Sequence, residues 1–172
     1  MIKSDLQVSV RRAAPHEADA VLAVLDEAAR WLAGRGVVQW PDAFRPEWIE
    51  PALQAGEVWL AERDGAVVGT LTLQWSDPLW PDDGRAGYVH RFAVRRAAAG
   101  LGPRLLAWAE DKVREHGRDR LRLDCVAWNR PLRAYYEAAG FLHRGDVEIN
   151  APGSGTDRPR LSRYERAVRP SR

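Results

Sequence analysis

The residues of this chain that can move protons or hold an ion are few. Besides its carboxylates, it has four histidines and one cysteine. His90 lies in the alternating segment GYVHRFAV and Asp124 in RLRLDCV. Imidazole titrates near neutrality, so a His90 that faces a cleft takes a proton directly or through water. On an alternating strand Tyr88, His90 and Phe92 share one face. That face is either a cleft or the core, where the histidine is simply hydrogen-bonded. Asp124 is a second candidate base; alternatively it caps a turn or pairs with Arg122 or Arg130. Cys125 beside it reads as a small buried residue, since no His–Cys spacing suggests a nucleophile. His16, His116 and His143 form no metal-ligand spacing with a carboxylate, and a lone cysteine excludes a Cys-rich zinc site. No metal is expected.

Two further segments have chemical character. Gly100-Leu101-Gly102 stands between a strand ending at Val94 and a helix opening with Pro103. Glycines let backbone approach a ligand closely, and a helix start offers free N–H groups and partial positive charge suited to a phosphate. Pro103 fits the first helical turn. Taken alone, the Gly-Leu-Gly run reads sooner as a plain turn before a helix. Residues 129–141 read NRPLRAYYEAAGF. Asn129 can cap a helix, and Gly140 suits its left-handed end. Tyr136 then lies about two turns in. Both Tyr135 and Tyr136 can also be read as aromatic core packing.

These residues must be positioned by regular elements, and the pattern supplies them. Residues 7–12 alternate as a first strand. Pro15 opens an amphipathic helix with Ala18, Val21, Leu22, Leu25, Ala29 and Leu32 on one face, ended by Gly34 and Gly36. A short helix spans Pro46–Gln54. Strands follow at 57–63 and 66–75 around an Asp64-Gly65 turn. A Pro/Asp/Gly loop covers 76–85 and a third strand 87–94. The order then becomes α/β: a helix to His116-Gly117 with core face Leu105, Leu106, Ala109 and Val113, and a strand at 120–126. The Asn129–Gly140 helix and strands near 141–149 and 160–167 complete it. With no repeat, linker or low-complexity tract, residues 1–172 read as one domain.

Composition sets the outer bounds. The chain has 172 residues, enough to bury a core without disulfides. Its 26 basic and 24 acidic side chains leave a net charge of +2. That balance argues against a protein built to neutralise nucleic-acid phosphates. Nearly all the positive charge is arginine, and eight tryptophans are many for this length. There is no signal-peptide h-region and no 18-residue apolar run, so a cytoplasmic protein without membrane contact is expected.

Together, Gly100, Gly102 and the N-x6-Y-x3-G-F run of Asn129, Tyr136, Gly140 and Phe141 resemble the GNAT superfamily of acyl-CoA-dependent N-acetyltransferases. The order of elements over 7–167 is similar too. In this resemblance the leading Gln/Arg position of the pyrophosphate motif falls on Ala97, and the link from Val94 to Gly100 is shorter than usual. The resemblance implies an α/β (α+β) fold. Its mixed, mostly antiparallel sheet has six to seven strands, flanked by about four helices, with a splayed central parallel strand pair. It also implies acetyl-CoA as acyl donor, with a primary amine of a small molecule or peptide attacking directly through a tetrahedral intermediate. Phe92, Ala93 and Val94 would pair with the pantetheine arm and steady the oxyanion. Backbone N–H groups over Ala98, Ala99, Gly100, Leu101 and Gly102 would cradle the pyrophosphate, with charge from Arg95, Arg96 or Arg104. Asn129 and Tyr136 would also bind the cofactor, and Tyr136 matches the family's usual general acid. His90 is similar to a strand histidine of arylalkylamine N-acetyltransferases, whose other histidine slot is Tyr88 here.

The acceptor pocket implied by the resemblance lies over Trp31 to Trp48, the 76–85 loop and the 150–158 loop. Trp31, Trp40, Phe44, Trp75 and Trp80 are candidate walls, or else core residues. Asp42, Asp77, Asp82 and Asp83 either attract a cationic amine or are solvated turn residues. A homodimer is compatible with the resemblance. The alternatives are a non-catalytic acyl-CoA-binding or regulatory module, favoured by Ala97, and an Arg-rich nucleic-acid-binding domain, disfavoured by the charge balance.

Overall fold

The structure is a computed structural model that describes residues 7–37, 40–41, 43–150 and 158–171. The described residues hold β1 (Val8–Arg12), α1 (Ala18–Gly34), α2 (Pro46–Gln54), β2 (Val58–Arg63), β3 (Ala66–Gln74) and β4 (Ala86–Val94). Then come α3 (Gly102–Glu115), β5 (Arg120–Val126), α4 (Arg130–Ala138), β6 (Leu142–Glu148) and β7 (Arg160–Ala167). The elements read from the sequence fall within a residue or two of these bounds, because each is set by local periodicity and by glycine or proline punctuation; the exception is the first helix, whose opening at Pro15 is a 3-10 turn over Pro15–Glu17 that precedes α1. The strands follow the order β1-β2-β3-β4-β5-β7-β6 in a seven-stranded sheet. The β4–β5 pair is parallel, while β1–β2, β2–β3, β5–β7 and β6–β7 are antiparallel. This is the mixed α/β architecture expected.

The described chain groups into two compact units. The first takes the residues up to Leu73 together with Arg91–Leu105. Here β1, β2 and β3 run as a meander. Asp64 and Gly65 both have positive φ (54° and 78°), the turn geometry that matches the twist of paired strands. The stripe of α1 buries Val21, Val24, Leu25 and Ala29 in one cluster with Ile49 and Leu53 of α2 and Val58 and Leu60 of β2. Gly69 of β3 has no side chain for a packing reason. A Cβ there would meet Ala93 O and Leu105 Cδ1, both at 3.2 Å, so the glycine keeps β3 close to the strand and helix that flank the Gly100 turn.

The second unit comprises Gln74–His90 and the residues from Leu106 onward. Leu106, Ala109 and Val113 of α3 are fully buried, as their spacing predicts. β5 pairs with β7 over seven residues, from Arg120↔Ala167 to Val126↔Leu161. Its parallel ladder with β4 is short: Ala86↔Arg120, Gly87↔Leu121 and Tyr88↔Arg122. Beyond Tyr88 the alternation of β4 is broken at Arg91, whose φ of 46° is rare for a residue with a side chain. The common face predicted for Tyr88, His90 and Phe92 is therefore interrupted after His90.

Candidate active site

His90 and Asp124 lie two residues beyond Tyr88 and Arg122, the last pair of the β4–β5 ladder. The period of two keeps each on the strand face of its predecessor. A third group reaches them from the loop before β4. Asp77 is held in a side-chain turn, where its Oδ1 accepts the N–H of Leu79 at 2.8 Å. Its Oδ2 lies 3.0 Å from His90 Nε2. That approach is short but not aligned as a hydrogen bond, and Asp77 Oδ2 has no hydrogen-bond partner among the described residues. The Asp77 side chain is 4% exposed and that of His90 26%. One ligand atom from each of Asp77, His90 and Asp124 lies within 4.8 Å of the others.

Their environments pull the two carboxyls apart. Burial alone would raise Asp77, but the His90 contact and the Leu79 N–H outweigh it and hold the group below the usual carboxylate range. Asp124 moves up instead: burial is the main cause, and the charge of Asp77 adds to it against a smaller opposing pull from His90. A pair of acids displaced in opposite directions around an imidazole is the pattern of acid–base chemistry. Asp124 makes no ion pair with Arg122 or Arg130; Arg122 is engaged elsewhere.

The loop that delivers Asp77 is pinned by arginines. Arg118 donates to Trp75 O (2.7 Å) and Ala86 O (2.8 Å), at the loop's two ends. Arg122, with a side chain 7% exposed, forks onto Asp83 at 2.6 and 3.0 Å and donates to Glu165 at 2.7 Å and to the Tyr88 hydroxyl at 3.0 Å. Arg163 donates to Leu79 O at 3.0 Å. The guanidiniums of Arg122 and Arg163 lie 4.8 and 5.1 Å from the ring of Trp80. Hydrogen bonding to Arg122 holds Asp83 down to about 2. Trp80 is thus a buried pin rather than an exposed wall, and Trp75 stacks on His116 at 3.7 Å.

On α4, Asn129 caps the helix by accepting the Leu132 N–H at 3.2 Å. Tyr136 is 5% exposed and packs against the rings of Tyr135, Phe141 and Tyr164 at 5.6 to 6.0 Å. Burial, the main cause, pushes its phenol well above the usual range. Burial likewise pushes the Cys125 thiol up to about 12, so it stays protonated.

In the first unit, the run expected to cradle a pyrophosphate is partly closed on itself. A 3-10 turn covers Arg96–Ala98. The N–H groups of Ala98, Ala99 and Leu101 donate to Arg95 O, Arg96 O and Ala98 O. Of the five N–H groups from Ala98 to Gly102, those of Gly100 (φ 95°) and Gly102 have no backbone acceptor among the described residues. Arg95 donates to Val67 O and pairs with Glu27 at 3.5 Å, and Arg96 lies 4.1 Å from the Trp31 ring. Arg104 is exposed in the first turn of α3, as Arg96 is in its 3-10 turn. Arg63, which no motif singled out, donates to Ala97 O at 2.9 Å. Trp40, Phe44 and Trp48 pack edge to face in this unit. Asp42 and the 151–157 stretch of the proposed acceptor pocket lie outside the described residues.

What sequence reading missed is the partnership of Asp77 with His90. Asp77 appeared among four loop acids read either as attracting a cationic amine or as solvated turn residues, and no local spacing marks a contact that folding alone creates.

Comparison with known proteins identifies the family and the fold. Residues 25–141 match the family described as acetyltransferase (GNAT) family. The chain is 33% identical over 141 residues to the uncharacterised N-acetyltransferase YesJ of Bacillus subtilis, covering 75% of this chain and 78% of that one. The GNAT family acetyltransferase structure from Listeria monocytogenes superposes with a TM-score of 0.75 at 28% identity, covering 98% of this chain and 99% of that one. The fold also matches yncA of Salmonella typhimurium, solved with its cofactor acetyl-CoA, at a TM-score of 0.68 and 15% identity over 96% of each chain.

Proposed function

This chain belongs to the GNAT acetyltransferase family, and from that premise we propose that it transfers an acetyl group from acetyl-CoA to a primary amine of a small molecule or peptide. One observation carries the reading: His90, 3.0 Å from Asp77 and clustered with Asp124, stands just past the last β4–β5 ladder pair.

An aliphatic amine is an ammonium ion near neutral pH and has no lone pair to attack with, so a base must act first. Asp77 and Asp124 favour the approach of the cation. His90 accepts the ammonium proton on a ring nitrogen, with the Asp77 carboxylate 3.0 Å from Nε2 as its anionic neighbour. The freed amine nitrogen then bonds to the thioester carbonyl carbon, the C–S bond breaks, and the thiolate takes a proton. Acetyl-CoA, when bound, supplies the activated acyl carbon.

The chain's other groups follow from their chemistry. Gly100 and Gly102 offer N–H donors, and Arg104 a charge, suited to a pyrophosphate. Phe92, Ala93 and Val94 supply backbone to the pantetheine arm and to the oxyanion, and Asn129 sets the helix that carries Tyr136. Proton donation by Tyr136 to the departing thiolate is uphill for a phenol so deeply buried, so position rather than acidity must account for it. The test is calorimetric titration with acetyl-CoA followed by mass spectrometry of an amine panel. Saturable binding and an acetamide product are expected; neither at millimolar donor removes the proposal.

A further inference from the structure

We propose that Asp77, His90 and Asp124 also form a site for a divalent transition-metal ion of the zinc class, and that its occupancy stops acetyl transfer by engaging the base. The inhibitory half rests on the role given to His90 above. The binding half stands without it.

Three observations lead there. The first is the donor set: one imidazole nitrogen and two carboxylate oxygens, their ligand atoms within 4.8 Å of one another. Zinc binds such nitrogen and oxygen at about 2.0–2.2 Å, which places neighbouring ligand atoms roughly 3–3.6 Å apart. Asp77 and His90 are already at 3.0 Å, and side-chain rotation of Asp124 closes the remainder.

The second is a lack of hydrogen bonds. Asp77 Oδ2 and Asp124 Oδ2 are both buried with no hydrogen-bond partner among the described residues. Buried acceptors are almost always satisfied, so two on the carboxylates of one cluster call for an occupant that binds oxygen. The Asp77 side chain is 4% exposed, and its free oxygen is directed at the cluster.

The third is charge. Among the described residues no arginine or lysine forms an ion pair with either carboxylate, although the chain is rich in arginine. Arg118, Arg122 and Arg163 are spent on the loop around Asp77 rather than on its carboxylate. A dication neutralises what the protein leaves unpaired. The imidazole selects against magnesium and calcium, which prefer all-oxygen shells, and the set holds no thiolate to favour a softer ion. Three protein ligands leave a coordination position open for water.

The test uses the full-length protein, stripped with EDTA, desalted and titrated with Zn2+ by calorimetry, and with Co2+ by visible absorption. One saturable site is expected, with a rise in melting temperature on adding Zn2+. His90→Gln and Asp77→Asn should each weaken binding by about tenfold or more. His143→Ala, which removes the exposed His143–Asp146 pair, should leave binding unchanged. Circular dichroism melts establish that each variant is folded; should His90→Gln not fold, Asp77→Asn and Asp124→Asn carry the same comparison. Absence of a saturable site, or binding that survives in the triad variants and is lost in His143→Ala, overturns the proposal.

The inhibitory half is read from acetamide product by mass spectrometry, because CoA thiol itself binds zinc. Zn2+ at saturation should stop product formation, and EDTA should restore it. Metal binding without inhibition overturns that half alone. An active enzyme that binds no metal overturns the metal site and leaves the acetyltransferase reading standing.

Discussion

His90 Nε2 stands 3.0 Å from Asp77 Oδ2, a strand residue facing a loop residue that is itself fixed by the Leu79 N–H. The contact orients the imidazole and makes Asp77 a positioning residue for the base. Asp77→Asn removes the negative charge and keeps the shape. It should lower kcat by about tenfold with little change in KM for acetyl-CoA, the split expected of a residue that positions the base rather than binds the donor. Steady-state assays that vary acetyl-CoA check both. An unchanged kcat removes Asp77 from the mechanism.

Asp124 offers a stability test with a definite sign. Its carboxyl is raised in the folded protein, chiefly by burial. A raised acid contributes stability below its unfolded value, about 3.9, and loses it as pH rises through the folded value. Asp124→Asn deletes the buried charge, so it should melt at a higher temperature than the parent near neutral pH, with the gap shrinking toward acid. Melts over about pH 4 to 8 decide this, and a variant less stable at every pH would contradict it.

Arg122 ties Asp83, Glu165 and Tyr88 together inside the protein. Arg122→Ala leaves Glu165 buried without this partner and should cost about 3–5 kcal/mol, measured by denaturant unfolding. The acid side of stability should bear the same mark. Asp83 is held down to about 2 by Arg122, so its contribution is present above the ordinary carboxylate range and fades as pH falls toward about 2. Asp83→Asn should flatten that acid limb.

Gly100 and Arg104 provide the donor-binding test. Gly100 has φ 95°, a conformation that L side chains rarely adopt, so Gly100→Ala should misplace one of the two N–H groups that have no backbone acceptor among the described residues. Arg104→Ala should weaken acetyl-CoA binding by about tenfold, the scale of a hydrogen bond to a charged group, with kcat at saturation nearly unchanged. Titration calorimetry on both variants reads the effect. Equal affinity in both would show that the pyrophosphate lies elsewhere.

How much of this was legible beforehand depends on whether the information is local. The strands, α1 with its Val21–Ala29 stripe, the Asn129 cap and the Asp64-Gly65 turn are written in neighbouring residues, and they were readable. His90 and Asp124 were visible as candidates because each sets a titratable group within a strand segment. Asp77 was not visible as the partner of His90, since only chain folding brings a turn acid to a strand histidine. The arginines looked like bulk composition, yet Arg118, Arg122 and Arg163 hold one loop through partners scattered along the chain. The inward N–H groups of Ala98, Ala99 and Leu101 were hidden as well, because an alanine-rich run gives no sign of a 3-10 turn.

Tyr136 separates role from packing. Tyr136→Phe keeps the ring among Tyr135, Phe141 and Tyr164, so stability and acetyl-CoA affinity should hold while turnover falls by about 100-fold, as for loss of a general acid. Full turnover would make Tyr136 a packing residue alone.

The most direct measurement of the central claim is single-turnover acetylation of the best amine by the parent and by His90→Gln at saturating acetyl-CoA. The account predicts a loss of about 100-fold or more in the variant, unchanged acetyl-CoA affinity, and a loss that narrows as pH rises and the amine deprotonates unaided. Equal rates in both proteins across that pH range would contradict it.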